Sequence, residues 1–251
     1  MRRFSPSGEG SMSNKPSGVL ETVRTVIYAV LIAMVVRTFA YEPFNIPSKS
    51  MVPTLLVGDY LFVSKLSYGY SRFSLPFGLP LFDGRIFAAE PERGDVIVFK
   101  LPSDDKTDYI KRLVGLPGDT VQVVAGVLHI NGEPVERRRI EDYVDPDSGR
   151  SYLQYLETLP NGTSHRILEE SDHGALDNTP PYRVPDGHYF MMGDNRDNSL
   201  DSRASVGFVP AENLIGRADI LFFSTDGSAR LWEVWKWPTA TRFSRIFDTV
   251  S

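Results

Sequence analysis

Apolar residues are arranged differently in the first forty residues and in the rest of the chain. Residues 25–36 (TVIYAVLIAMVV) carry no charge and are flanked by Arg24 and Arg37, inside a wider apolar stretch over 20–44. A membrane span needs about 20 apolar residues, a length that this stretch reaches when both arginines extend their charged heads toward water. The pattern predicts a transmembrane helix over residues 19–40.

Two other interpretations of this helix stay open. A basic start followed by a short apolar run is also typical of a cleaved secretory signal, for which residues 38–40 (TFA) form a poor cleavage site. A buried helix of a soluble protein is the third interpretation. In the first two cases the chain after residue 40 faces the outside, and the basic residues before the segment favour a cytoplasmic N-terminus. Residues 1–18 are rich in Ser, Gly and Pro, which predicts a flexible cytoplasmic tail.

Beyond residue 41 the helical period disappears, and short runs of β-forming residues alternate with turn residues. Predicted strands occupy residues 60–66, 96–101, 109–114, 120–124, 188–192 and 214–223. The pair Asn131-Gly132 predicts a tight hairpin turn. Residues 142–185 are polar and contain Asp-Pro, Asn-Gly and Pro-Pro pairs, which indicate a loop-rich insertion of ribbons. We therefore predict a β core over 41–124 and 188–228, with an insertion region over 125–187.

The last stretch, residues 229–251, contains all three tryptophans, Trp232, Trp235 and Trp237, together with Arg and Lys. Indole rings prefer the membrane interface, so this Trp-rich tail is one candidate for contact with the bilayer. Packing of a C-terminal strand or helix on the β core is the alternative, and the sequence does not decide between them.

Composition removes several classes of function. The chain has 251 residues, of which 41% are hydrophobic, and a net charge of -5 with the basic residues scattered, so we expect no nucleic-acid partner. A cysteine count of 0 excludes disulfides, thiolate zinc sites and a thiol nucleophile.

Residues 47–55 (PSKSMVPTL) are the first candidate for chemistry. Ser48 and Ser50 lie between Pro47 and Pro53, which restrict the backbone and can aim a hydroxyl. A Ser-x-Ser pair is by itself weak evidence, because serine-rich turns are common and most carry no chemistry.

A serine nucleophile needs a base, and the four histidines lie in no recognisable motif, nor is there a G-x-S-x-G elbow. Ser103 and Lys106 match S-x-x-K, but they lie in an acidic loop where the amine stays protonated. Lys111 differs, because strand alternation places it on one face with Tyr109 and Leu113. An amine on an apolar face is desolvated, which lowers its pKa toward the range of a general base. The alternative is a lysine on a sheet edge that discourages aggregation.

The third candidate is residues 193–203 (GDNRDNSLDSR). A calcium loop is the obvious rival, but the segment lacks the glycine at the sixth position and the glutamate at the twelfth. Its short polar residues with Arg196 and Arg203 indicate a self-bonded turn network that can hold another group in place.

Three segments together resemble the signature boxes of bacterial type I signal peptidases, also called leader peptidases: PSKSMVPTLLVGDYLFVSK, DYIKRLVGLPGD and GDNRDNSLDSR-x4-GFVP. They occur in the family's order behind an N-terminal membrane segment, and the resemblance extends to about Phe223. It implies a mainly β protein with an antiparallel, barrel-like catalytic core and a smaller β-ribbon insertion. It also implies a serine endopeptidase of the bacterial inner membrane, single-pass with its catalytic part on the periplasmic side, which cleaves signal peptides from exported preproteins through an acyl-enzyme.

Carried over by position, the resemblance makes Ser50 the nucleophile and Lys111 its base. Ser48 and the Ser50 N–H would form the oxyanion hole, and Ser199, supported by Asp201 and Arg203, would hydrogen-bond the lysine. The expected walls of the substrate cleft are apolar and suit the small residues before cleavage sites: Phe44, Ile46, Met51, Leu55, Tyr109 and Ile110. The expected partners are preprotein signal peptides and membrane phospholipid, with neither a metal nor a cofactor.

Lys49 departs from the family pattern, in which glycine is common at this position, and we expect it to face solvent or lipid phosphates. Two rival functions stay open. Self-cleaving repressors share a Ser–Lys core, although they carry a DNA-binding domain where this chain has an apolar segment. A non-catalytic, membrane-tethered β module that binds a partner outside the cell is the other.

Overall fold

A computed structural model describes residues 18–75, 82, 84–146, 148–229 and 232–250. The predicted N-terminal tail, residues 1–18, lies outside the described residues except for its last residue, with which the first helix begins.

Helix α1 (Gly18–Phe39) has 22 residues and agrees with the predicted span over 19–40. At 1.5 Å per residue it is about 33 Å long, enough to cross the hydrocarbon core of a bilayer. None of its residues is buried, so the interpretation as the core helix of a soluble protein is wrong. By length and composition α1 qualifies as a membrane span, a test that a signal sequence also passes.

The described residues contain fifteen strands and one further short α-helix, α2 (Trp237–Ala240). The strands are β1 (Tyr41–Asn45), β2 (Asp59–Ser64), β3 (Val96–Lys100), β4 (Asp108–Gly115), β5 (Thr120–Val124), β6 (Val127–Ile130), β7 (Glu133–Pro134), β8 (Glu136–Arg139), β9 (Tyr143–Val144), β10 (Ser151–Thr158), β11 (Ser164–Glu169), β12 (Tyr182–Arg183), β13 (His188–Met192), β14 (Val209–Pro210) and β15 (Leu214–Ser224). These strands pair with one another antiparallel. The predicted fold class, mainly antiparallel β behind one apolar helix, is confirmed.

The largest sheet has seven strands in the order β1-β2-β15-β3-β4-β13-β14, so β4 is an interior strand. Both faces of this sheet are covered, because alternate residues of β3 belong to different apolar clusters. Val96 and Val98 pack in one cluster together with Met51 and Leu55, which follow the serines. Ile97 and Phe99 pack in the cluster on the other face. The loop between β1 and β2, residues 46–58, is therefore held on the sheet by its own apolar residues, and we call it the serine loop.

The remaining strands form two smaller sheets, β12-β5-β6-β7 and β11-β10-β8 with β9 on β10. The predicted boundary between core and insertion, after residue 124, lies at the end of β5, where the turn of the β5–β6 hairpin begins. Asn131 and Gly132 join β6 to β7 with φ values of 57° and 86°. Positive φ at both positions is what a type I′ turn requires, so the predicted tight hairpin is confirmed.

The described part of the C-terminal tail runs back along β15. Bridges connect Ile220 to Thr249 and Thr225 to Thr241, while Arg245 donates to both carboxylate oxygens of Asp59 at the start of β2. The tail thus attaches to the sheet, whereas the side chains of the three tryptophans are exposed. Contact between these indoles and a membrane stays a prediction.

One buried ion pair connects β4 to the 193–203 segment. Arg112 is fully buried and donates from Nε and Nη2 to the two carboxylate oxygens of Asp194, each at 2.8 Å. Thr54 of the serine loop donates to the same carboxylate, and Arg112 Nη1 donates to the carbonyl of Gly94. Three parts of the chain that are distant in sequence therefore meet at one carboxylate.

We predict that Asp194→Asn lowers the free energy of unfolding by about 3–5 kcal/mol, because it leaves the Arg112 guanidinium buried without a counter-charge. Chemical denaturation of the full chain in detergent, followed by circular dichroism, measures the loss. The matched control is Asp142→Asn, which breaks an exposed pair with Arg139 and should change stability by no more than about 1 kcal/mol. Equal effects of the two substitutions would contradict the prediction.

Candidate active site

Ser50 and Lys111 meet where the serine loop crosses β4. Lys111 Nζ lies 2.7 Å from Ser50 Oγ and donates to the carbonyl oxygen of Ile110 at 2.9 Å. Ser50 is 8% exposed and Lys111 3% exposed. Since β4 is interior and the amine is buried, the alternative of a lysine on an exposed sheet edge is wrong.

Burial lowers the pKa of Lys111 to about 8, although Asp201 and Asp194 act in the opposite direction. The ammonium form loses its hydration in this position, and the hydroxyl and carbonyl oxygens around it are neutral. A fraction of the lysine is therefore uncharged near neutral pH, which is the state that can accept a proton from a hydroxyl.

Ser48 lies beside the nucleophile candidate on the rim of the cleft. Its Oγ is 3.3 Å from Ser50 Oγ, and the residue is exposed. Its hydroxyl can therefore reach an atom that is bonded to Ser50 Oγ, so the predicted place in an oxyanion hole is compatible with this geometry.

The 193–203 segment holds the serine loop by hydrogen bonds to its backbone. Asn195 N donates to the carbonyl of Ser50 and Asn195 Nδ2 to the carbonyl of Lys49, both at 3.1 Å. Asn195 was not singled out from the sequence, where nothing distinguishes it from its polar neighbours. These two hydrogen bonds from one residue position the turn that carries Ser50.

Asp201 and Arg203 form a buried pair inside the same segment. Arg203 donates from Nε and Nη2 to the two oxygens of Asp201 at 3.0 and 2.9 Å, and Gly193 N donates to Asp201 at 3.1 Å. A Cβ on Gly193 would lie 2.6 Å from the Ser50 carbonyl oxygen and closer still to Ser199 Oγ, so only glycine fits there. The pair fixes the glycine against the serine loop.

Ser199 lines the cleft and is buried, but its hydroxyl has no hydrogen-bond partner among the described residues. The predicted hydrogen bond from Ser199 to Lys111 is not formed. Lys111 Nζ instead donates hydrogen bonds to Ser50 Oγ in the serine loop and to the Ile110 carbonyl oxygen in its own strand.

The cleft beside Ser50 and Lys111 is lined by parts of the serine loop, β4, the 193–203 segment and the insertion: Pro47, Ser48, Lys49, Ser50, Asp108, Tyr109, Ile110, Lys111, Ala175, Leu176, Asp197, Asn198, Ser199 and Leu200.

Tyr109 and Ile110 are the two predicted wall residues that line this cleft. Met51 and Leu55 are wholly buried in the core with Ile46, so the structure corrects their placement in the wall. Their side chains point from the serine loop into the sheet, where they anchor it. Phe44 lines a different cavity, between the end of α1 and the sheet, because β1 is the edge strand on the far side of β2 from β4.

The insertion supplies contacts that the sequence did not indicate. Ala175 and Leu176 line the cleft. Lys49 Nζ is 2.7 Å from Asp145 Oδ2, so this cation pairs with a carboxylate of the insertion while its side chain stays 37% exposed. No local sequence pattern predicts these contacts, because they form when the insertion packs on the serine loop, which is distant in the chain.

Comparisons with known proteins match almost the whole chain. The family model of signal peptidase, peptidase S26, matches residues 19–223, a range that includes the serine loop, β4 and the 193–203 segment. The chain is 44% identical over 242 residues to Signal peptidase I of Rickettsia typhi, covering 89% of this chain and 90% of the relative. With Signal peptidase I of Rickettsia akari it shares 47% identity over 206 residues, covering 79% and 77%. A crystal structure of a signal peptidase I from Enterococcus faecalis V583 is 31% identical with a TM-score of 0.31, covering 51% of this chain and 97% of that chain.

The lowered pKa of Lys111 predicts a pH-dependent effect on stability. An ordinary lysine has a pKa of 10.5, against about 8 here. Below pH 8 both folded and unfolded states are protonated and the buried ammonium destabilises the fold by about 3 kcal/mol. Between pH 8 and pH 10.5 the folded state releases its proton first, so stability rises with pH.

Lys111→Met should therefore be more stable than the original chain near pH 7, with the difference shrinking as pH rises through this window. Denaturation of both proteins at several pH values measures it. Lys106→Met, at an exposed lysine, serves as the control and should show no such trend. A pH-independent difference for Lys111→Met would contradict the lowered pKa.

Proposed function

This chain belongs to the signal peptidase family, peptidase S26, and we propose that it is a membrane-bound endopeptidase that uses a Ser50–Lys111 dyad to remove signal peptides from exported preproteins. Removal of signal peptides by a serine peptidase is the activity of its family. The observation that carries the finer proposal is the 2.7 Å contact between Lys111 Nζ and Ser50 Oγ, made by a buried amine at the wall of a cleft.

In the first half-reaction neutral Lys111 accepts the Ser50 proton while Oγ attacks the scissile carbonyl carbon. The C–O bond that forms leaves a tetrahedral oxyanion. When this intermediate collapses, the C–N bond breaks and the Lys111 ammonium gives its proton to the leaving amine. The product is an acyl-enzyme and a free mature N-terminus.

In the second half-reaction Lys111 takes a proton from water, whose oxygen attacks the ester. Collapse of the second tetrahedral intermediate returns the proton to Ser50 and releases the signal peptide. Ser48 Oγ and the Ser50 N–H stabilise both oxyanions by hydrogen bonds that act where negative charge develops. The proximity of Ser48 Oγ to Ser50 Oγ supports this role.

The cleft suits a small side chain before the scissile bond. Tyr109, Ile110 and Leu176 supply apolar surface, and residues 47–50 of the serine loop form another part of the lining. A side chain such as alanine fits against these three groups with little polar desolvation, whereas a charged side chain in contact with them would lose hydration.

The connection to α1 supports a membrane-bound enzyme. One residue separates the end of α1 from β1, and Tyr70 OH donates to the carbonyl of Phe39 at the helix end. A helix in the bilayer therefore keeps the sheet close to the phospholipid surface, on the outer side of the inner membrane, where preproteins emerge. Confinement to one surface raises the effective concentration of the substrate.

We expect Ser50→Ala and Lys111→Met to lower kcat by at least about 10⁴-fold, because each removes one half of a unit that acts together. Lys111→Arg should fail equally, since a guanidinium does not release its proton at working pH. Ser48→Ala should retain more activity, with a loss of about 10² to 10³ in kcat. Cleavage of a preprotein with an alanine-ending signal, resolved by gel and mass spectrometry, measures each variant.

The chain offers matched controls in Ser103→Ala and Lys106→Met, which change the same residue types in the exposed S-x-x-K sequence and should leave cleavage unchanged. Full activity of Lys111→Met would remove the lysine from the mechanism. An intact preprotein with the original chain would instead support a membrane-tethered binding module, and cleavage of its own chain alone would support the self-cleaving class.

The pH dependence of kcat/KM should rise with pH and level off above a midpoint of about 8, because the free enzyme needs neutral Lys111. Below the midpoint the rate should fall about tenfold for each pH unit. Steady-state cleavage of a signal-peptide substrate in detergent, with circular dichroism to verify folding at each pH, gives the profile. A midpoint above pH 10 would show that an ordinary, solvated lysine limits the rate.

A further inference from the structure

Three carboxylates from separate parts of the chain converge beside the cleft: Glu169 at the end of β11, Asp177 in the following loop, and Asp197 in the 193–203 segment. One oxygen from each lies within 4.8 Å of the other two. Glu169 is 1% exposed and Asp177 0% exposed, whereas Asp197 is partly buried. The signal peptidase mechanism uses none of them.

Two buried oxygens of this group have no hydrogen-bond partner among the described residues, Glu169 Oε2 and Asp177 Oδ1. The other oxygen of Asp177 accepts from Gly174 N at 2.6 Å, and Asp197 Oδ2 accepts from Glu170 N at 2.6 Å. Carboxylate oxygens without donors are rare in protein interiors, because burial removes water that nothing replaces. Two such oxygens in one carboxylate cluster indicate a missing positive partner.

Among the described residues, the arginines near the cluster donate no hydrogen bond to its carboxylate oxygens. Arg137 Nη1 approaches Glu169 Oε1 only to 4.0 Å and forms its short contact with Asp172. The guanidinium groups of Arg196 and Arg203 form their ion pairs with other carboxylates.

We propose that Glu169, Asp177 and Asp197 form a calcium site. An all-oxygen donor set of three carboxylates selects a hard divalent cation. Ca²⁺ accepts about 6–8 oxygen ligands in a flexible geometry, whereas Mg²⁺ dehydrates reluctantly and is usually held by only one or two carboxylates together with several waters. A set of three carboxylates, two of them buried, therefore favours Ca²⁺.

This site differs from the metal-free expectation and from the calcium loop that the sequence excluded. Its ligands come from three separate segments, so no spacing within one loop reveals them. The ion would join the end of β11 to the cleft wall, because Asp177 directly follows Ala175 and Leu176, and Asp197 lies two residues before Ser199. It contacts no reacting atom, and its role is to hold the wall against which the substrate lies.

The test is a calorimetric titration of CaCl₂ into the full chain in detergent after removal of metal with a chelator. The Ser50→Ala form is used, so that the result does not depend on catalysis. We expect one ion per chain with a Kd of about 10⁻⁴ to 10⁻³ M, and a higher unfolding temperature with CaCl₂. Absence of saturable binding up to about ten times that Kd would overturn the proposal.

Glu169→Gln and Asp177→Asn keep the side-chain shape and remove one charge each. Each should weaken calcium binding by at least roughly tenfold. The matched control is Glu170→Gln, which changes the adjacent, exposed glutamate that pairs with Arg150. If Glu169→Gln or Asp177→Asn binds calcium as tightly as the control does, the substituted residue is not a ligand. Two variants are used so that a folding defect in one of them does not decide the result.

An activity measurement tests the consequence for the cleft, which rests on the proposed function. With Ser50 present, calcium should lower KM for a preprotein and leave kcat unchanged in the original chain, with no such effect in Glu169→Gln. An effect on kcat alone would contradict a wall-holding role. A preprotein that stays intact at every calcium concentration would refute the peptidase proposal without touching the calorimetric result.

Discussion

The proposed chemistry of this protein depends on keeping the Lys111 amine uncharged beside the Ser50 hydroxyl. Lys111 is surrounded by neutral oxygens from Ser50 and Ile110, and burial alone would suffice to lower its pKa. Two carboxylates act against this, Asp201 and Asp194. Each carboxylate accepts hydrogen bonds from an arginine on both oxygens, and the positive charge of that arginine opposes the field of the carboxylate at the lysine. The two buried ion pairs therefore help to keep the Lys111 amine uncharged.

The same pairs also set the geometry. Arg112 and Asp194 tie β4 to the serine loop through Thr54, while Asp201 holds Gly193 against the Ser50 carbonyl. The same two ion pairs therefore affect the charge of Lys111 and also position the backbone that carries Ser50. A buried ion pair contributes little net stability on its own, so its value lies in where it places the chain.

Sequence patterns predicted the parts of this arrangement that follow from local chemistry. Alternation in β4 placed Lys111 on an apolar face, and the strands and the turn at Asn131 agree with the structure. The same patterns misplaced Met51 and Leu55, which are buried in the core. Both faces of the large sheet are covered by apolar clusters. An apolar residue in the sequence therefore predicts burial, but it does not predict whether the side chain lies in the core or in the cleft wall.

The sequence predicted least about the insertion, and the structure gives a physical reason for its polar composition. The insertion packs on the polar 193–203 segment, so its buried charged side chains pair with oppositely charged side chains there. Glu157 of β10 accepts from Arg196 at 2.9 Å, and both are fully buried. Asp145 pairs with Lys49 in the serine loop. In the sequence, these charged residues look like those of a solvent-exposed loop. The oppositely charged partner that makes their burial favourable lies far away in the chain. The insertion therefore stabilises the serine loop and the 193–203 segment through these ion pairs. The sequence pattern separates it from the β core, but in the folded protein both form the candidate site.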